Sequence, residues 1–238
     1  MKRLFDFTVS LIGLVLASPI LLPVMLLVYL QDFHSPFYIS DRVGRGEKNF
    51  KMFKLRSMIF NADKTGVAST SVNDQRINGV GHFIRRYKLD ELTQLLNVLV
   101  GDMSLVGPRP NVRLGTDVYT AKEKSLLSVR PGITDLASIV FADEGDILKD
   151  SKDPNLDYDQ LIRPWKSRLA LLCIEQQSFG FDLQILVLTA LSIFSRHQAL
   201  GGVVKLLKKM NAPEDVIRVA LRQEQLIPHA PPGAEFKT

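Results

Sequence analysis

The chain has 238 residues, 46% hydrophobic and 23% charged, with a formal net charge of +5. That composition excludes a disordered chain and allows one substantial domain plus a membrane element. A single cysteine, Cys173, excludes an intrachain disulfide, and His34, His82, His197 and His229 are too scattered for a zinc site.

From Phe7 to Gln31 no side chain is charged, and Leu11–Leu30 matches the roughly 20 apolar residues that span a bilayer. Ser18-Pro19 and Pro23 interrupt the run, and proline removes a backbone donor, so a helix here is expected to bend or break. Ser18 is a local donor for a freed carbonyl. Lys2 and Arg3 precede the run, while Arg42, Arg45, Lys48, Lys51, Lys54 and Arg56 follow it. Positive flanks stay cytoplasmic, so both ends ask for one side, which a helix-break-helix in one leaflet satisfies. A single-pass span and a cleaved signal peptide are the alternatives. The run is long for a signal core and lacks a small-x-small cleavage site.

Residues 36–60 read as short strands or a hairpin around Gly44-Arg45-Gly46. Residues 61–80 are polar and read as a mobile loop beside a site. Over 82–100, Leu92, Leu95, Leu96 and Leu99 make one apolar helical stripe that Gly101 stops. Gly107-Pro108-Arg109-Pro110 and Arg130-Pro131-Gly132 are rigid turns, each fixing an arginine. Residues 116–128 suggest a helix, 143–159 an acidic loop and 160–177 a helix. Leu183–Ser195 is too short to span; it reads as a core helix or an interfacial one, with the interfacial placement favoured. Residues 201–227 read as a basic amphipathic helix, and the tail from Pro228 as disordered.

The residues that carry chemistry cluster around Asp90 and Glu91, with Arg85, Arg86, Arg109 and Arg130 about them. Acids in a first helical turn often only complement the helix dipole. Arginine forks beside a helix N-terminus bind phosphate, and carboxylates there can hold magnesium or attack phosphorus. The basic balance thus fits phosphates and anionic lipid. Nucleic acid is the weaker reading, since no zinc-finger or RNP-type spacing is present.

The stretch from Lys88-Leu89-Asp90-Glu91-Leu92 through Gly107-Pro108-Arg109-Pro110 resembles the signature of the bacterial sugar transferases, the monotopic polyprenyl-phosphate phosphoglycosyltransferases. Ser18-Pro19, Lys54-Leu55-Arg56-Ser57-Met58 and Arg130-Pro131-Gly132-Ile133-Thr134 agree in order. The resemblance covers residues 2 to about 195 and implies an α+β, mainly helical fold. Its expected parts are a re-entrant membrane anchor (1–35), a cytoplasmic catalytic domain with a small β-hairpin and interfacial amphipathic helices (36–200), and a C-terminal helix with a flexible tail (201–238).

The resemblance implies transfer of a phosphosugar from a UDP-sugar to undecaprenyl phosphate in two steps, with UMP released, to start a lipid-linked glycan. Asp90 would be the nucleophile and carry the phosphosugar covalently. Glu91 would position Mg2+ or the acceptor, with Asp90 and Glu91 the metal-side carboxylates. Arg85 matches a phosphate-binding arginine, and Lys54, Arg56 and Arg109 match positions lining the site. Arg130 joins them as a substrate-binding residue on its rigid turn. The implied location is the bacterial inner membrane, facing the cytoplasm, with membrane lipid as a partner, no nucleic acid, and a homodimer left open.

Thr93 stands where many members have proline, a change expected to matter little. After Thr134 the chain reads Asp135-Leu136-Ala137-Ser138, and Asp143, Glu144 and Asp146 occupy a region where an arginine is common. The resemblance is to the small form that lacks four preceding transmembrane helices. Two other readings are a non-catalytic membrane-surface scaffold that binds nucleotide sugar or lipid, and a one-pass membrane phosphohydrolase.

Overall fold

The computed structural model describes residues 1–62 and 74–234. The polar loop expected over 61–80 lies largely outside the described residues. Its near edge ends at Ala62, and its far edge carries the antiparallel bridge Met58–Ile77.

The first element, α1 (Lys2–Asp32), is a single helix of 31 residues, about 46 Å at the usual rise. The expected break is absent as an interruption, because the helix runs through Pro19 and Pro23. Pro19 leaves the Val15 carbonyl without its backbone donor, and Ser18 Oγ donates to that oxygen at 2.8 Å. Asp6, Ser10, Leu21, Val24 and Val28 form one buried stripe at helical spacing. The opposite face exposes Leu4, Phe7, Leu11, Val15, Leu16, Leu22 and Leu26. Among the described residues this is the helix long and apolar enough to cross a membrane.

Both ends of α1 are tied into the same body. Lys2 Nζ reaches Asp182 at 2.5 Å and the Val106 carbonyl at 3.1 Å. Asp6 accepts from Ser104 Oγ at 2.8 Å. At the other end Arg56 closes on Asp32.

The expected hairpin is present: β1 (Phe37–Val43) pairs antiparallel with β2 (Asn49–Leu55), placing Tyr38 opposite Lys54. The turn between them needs Gly46 at φ +66°. The helix expected over 82–100 is three pieces, α2 (Gly79–Arg86), α3 (Leu89–Leu92) and α4 (Leu95–Val100). Lys88 at φ +55° makes the corner between the first two, a left-handed conformation that no helix continues through.

Two three-residue strands escaped the sequence reading. After α4 comes β3 (Ser104–Val106), then α5 (Arg113–Asp117), and β4 (Gly132–Thr134) pairs parallel with β3. Instead of a helix over 116–128 there is a short 3-10 turn at Glu123–Ser128. The acidic stretch after β4 is not a loop. After α6 (Leu136–Val140), capped by Asp135, residues 143–159 contain the short helices α7 (Glu144–Ile147) and α8 (Pro154–Asp157), the second capped by Asp153.

The C-terminal third is α9 (Arg163–Glu175), α10 (Phe179–Phe194), α11 (Arg196–Lys209) and α12 (Glu214–Leu221). The helix expected over 201–227 is split, because Asn211 turns left-handed and Pro213 lacks a donor. Ala199, Val203, Leu207, Val216 and Ala220 enter the same core as Leu136, Ile139, Val140, Leu169 and Ile185. Along α10 the exposed face carries Leu183, Val187, Ile193 and Phe194. The tail expected to be disordered is docked as far as Ala234. The His229 amide donates to the Gln160 carbonyl, Arg168 donates to the Ala230 carbonyl at 2.9 Å, and His229 packs edge-on to Trp165. Residues 235–238 lie outside the described residues.

Candidate active site

The turn at Lys88 delivers Asp90 and Glu91 on the first turn of α3, against β2. Lys54 Nζ sits 3.9 Å from Asp90 Oδ2. Glu91 Oε1 accepts from Arg109 Nη2 at 2.8 Å. Asp90 and Lys54 line a cavity of about 620 Å³, with Arg42, Arg76 and Arg85 on its walls and Phe37 among its apolar residues. Arg85 Nε donates to Ser57 Oγ at 3.1 Å, leaving the rest of its fork toward the cavity.

Burial raises the Asp90 carboxyl above the ordinary aspartate range, opposed by Lys54 and reinforced by Glu91. Burial likewise lowers Lys54 to about 8, helped by the like charge of Arg109 and opposed by Asp90 and Glu91. For Glu91, burial pulls the pKa upward, but Arg109, Lys54 and Lys88 outweigh it and hold the carboxyl at about 2. Two neighbouring carboxylates therefore differ in basicity because their partners differ. Glu91 is a committed anion, whereas Asp90 has one lysine at the limit of ion-pair distance.

The local fold that sets this geometry depends on two polar side chains inside an apolar stripe. Asn97, fully buried, accepts from the Phe53 amide at 2.9 Å and donates to the Lys51 carbonyl at 2.7 Å. Thr93 Oγ1 reaches the Phe53 carbonyl at 3.2 Å and the Asp90 carbonyl at 3.0 Å. Together they pin the strand that carries Lys54 to α4 and to the end of α3, the helix that carries Asp90. The sequence reading missed Asn97; its signal was a lone amide amid Leu95, Leu96 and Leu99. The Thr93 hydroxyl makes a contact that proline could not. Arg42, Arg76 and Tyr38 also line the cavity and were not singled out.

The structure brings together Asp90, Glu91, Lys54, Arg85 and Arg109. Arg56 lines the cavity, but its fork is spent on α1. It donates to Asp32 at 2.5 and 2.7 Å, to the Ser35 carbonyl at 2.8 Å, and to the Val28 and His34 carbonyls. Arg130 lies elsewhere, exposed at the C-terminal end of α4, where its Nε donates to the Gly101 carbonyl at 2.8 Å. A basic group there complements the helix dipole.

No group of three or more His, Cys, Asp or Glu side chains gathers as a metal site among the described residues. Two adjacent carboxylates suit magnesium, which takes one or two from protein and completes its shell with substrate phosphates and water.

A family model described as bacterial sugar transferase matches residues 1–196. The UDP-N-acetylgalactosamine-undecaprenyl-phosphate N-acetylgalactosaminephosphotransferase of Aeromonas hydrophila is 37% identical over 142 residues, 58% of this chain and 34% of that one. The exopolysaccharide production protein ExoY of Sinorhizobium fredii is 37% identical over 153 residues, 58% of this chain and 68% of that one. The UDP-glucose:undecaprenyl-phosphate glucose-1-phosphate transferase of Klebsiella pneumoniae is 36% identical over 203 residues, 83% of this chain and 41% of that one. The chain thus spans less than half the length of the Aeromonas and Klebsiella relatives.

Proposed function

This chain belongs to the bacterial sugar transferase family, and we propose that it transfers a phosphosugar from a UDP-sugar to undecaprenyl phosphate, releasing UMP. The observation that carries the reading is Asp90, on the wall of a cavity large enough for a nucleotide sugar, among Lys54, Arg85 and Arg109. In the first step an Asp90 carboxylate oxygen attacks the sugar-side phosphorus, and the bond from that phosphorus to the UMP oxygen breaks. In the second, a phosphate oxygen of undecaprenyl phosphate attacks the same phosphorus, and the bond to Asp90 breaks.

Lys54 and Arg85 face the cavity and neutralise the diphosphate, and Arg109 holds Glu91 in place. Asp90 and Glu91 would hold Mg2+, which supplies further charge neutralisation at the diphosphate when bound. The exposed apolar faces of α1 and α10 suit a membrane surface, with both ends of α1 on the cytoplasmic side of the inner membrane. The docking of both α1 ends on one body supports that topology over a single pass.

The test is UMP release from a panel of UDP-sugars with Mg2+, each with and without undecaprenyl phosphate. Lipid-dependent release from one sugar is the expected result. UMP release indifferent to the lipid would favour a hydrolase, and no release with any sugar would favour a binding scaffold.

A further inference from the structure

The family match ends at residue 196, yet the fold continues through α11, α12 and a docked tail. The extension meets the catalytic body at a charged cluster on the segment after β4. Asp143, the residue just before α7, lies 2.7 Å from Arg196 Nη2 and 3.3 Å from Arg222 Nη2. The Arg222 side chain is only 11% exposed, and its guanidinium stacks over Phe141 at 5.4 Å. Arg196 also donates to the Val140 carbonyl at 3.3 Å. Glu144, next along, pairs with Lys166 of α9. Asp143 and Glu144, two of the acidic residues that stand where an arginine is common, thus have basic partners, and one partner, Arg222, comes from beyond the family match.

The segment so held adjoins the candidate active site. β3 and β4 pair in parallel, and the chain after β3 folds back across β4. The Gly107 amide donates to the Thr134 carbonyl, and the Gly132 amide donates to the Pro108 carbonyl. The turn that carries Arg109 is thus hydrogen-bonded to both ends of β4, whose last residue leads directly into the segment that begins at Asp135. After Glu91, Asp90 and Glu144 add to the field that keeps Arg109 protonated.

We propose that the C-terminal extension is a positioning element for the Arg109 side of the site, with Arg222 fixing Asp143 and hence the segment 135–148 against which Arg109 is set. The proposal rests on the transferase reading only for its kinetic consequence. Arg222 touches no reacting atom in it; it acts through Asp143, on capture of the nucleotide sugar rather than on attack by Asp90.

The test uses the full chain with Arg222→Ala, Arg222→Lys and Asp143→Asn. Hydrogen exchange without ligand should show the 135–148 amides about tenfold faster in Arg222→Ala, with those of 89–100 unchanged. With substrates, the UDP-sugar KM should rise about fivefold, while kcat and the undecaprenyl phosphate KM stay within about twofold. Arg222→Lys should recover most of the loss, and Asp143→Asn should reproduce it. Unchanged exchange at 135–148 would overturn the proposal. So would faster exchange throughout, with kcat lowered and both KM values raised, since that is general loosening. A wild-type protein without lipid-dependent UMP release would instead sink the transferase reading, leaving the exchange comparison to decide the coupling alone.

Discussion

Asp90 and Glu91 are neighbours in sequence, but their surroundings separate their roles. Asp90→Asn keeps the shape and removes the nucleophilic charge, so turnover should fall by about a thousandfold or more with the fold retained, checked by UMP release and circular dichroism. Activity should also be bounded in pH. In the proposed first step Asp90 attacks as the anion, so the rate should rise with pH through its raised pKa; Lys54 would assist as the cation, so the rate should fall above about 8. Lys54→Arg should push the alkaline limb upward, and a limb that stays at about 8 would acquit Lys54. Arg56 belongs to a different ledger. Its loss leaves Asp32 and three carbonyls without their donor, so Arg56→Ala should lower stability by about 2–3 kcal/mol, read from denaturant unfolding.

In α1 the prolines and the tethers divide the labour differently from what the sequence suggests. Ser18 repairs the hydrogen-bond gap left by Pro19, so the helix continues. What holds its two ends on one body is the pairing of Lys2 with Asp182 and of Asp32 with Arg56. Pro19→Ala with Pro23→Ala should therefore leave both ends labelled from the same face in a cysteine-accessibility experiment. Labelling of the two ends from opposite faces would return the topology to the prolines. The pieces α2, α3 and α4 make a similar point, since the leucine stripe is real but the corner at Lys88, not the stripe, aims Asp90 at the cavity.

The core does not stop where the family match does. Val203 and Leu207 of α11 and Ala220 of α12 are fully buried with Leu136, Val140 and Leu169. A chain ending at residue 196 would expose those apolar surfaces, each buried leucine or valine being worth about 1.5–3 kcal/mol. It should be recovered aggregated or fail to show a cooperative melt. Removing only the residues after Ile227 loses the Arg168, His229 and Thr120 contacts of the tail and should cost far less, with the melt still cooperative.

Contiguous stretches of chain were enough to disclose the apolar N-terminal helix, the hairpin and the family signature with its Asp90-Glu91 pair. Each of these is carried by local composition, period or a continuous motif. The parallel pairing of β3 with β4, the burial of Asn97 against β2, the withdrawal of Arg56 to the end of α1 and the docking of the tail were not legible that way. All four depend on groups far apart in sequence satisfying one another's hydrogen bonds and charges, and a three-residue strand or a lone buried amide has no period of its own. The carboxylate pair of the candidate site was therefore written in one motif. Which cations surround it, and which merely hold the framework, was settled by how distant segments meet in the folded chain.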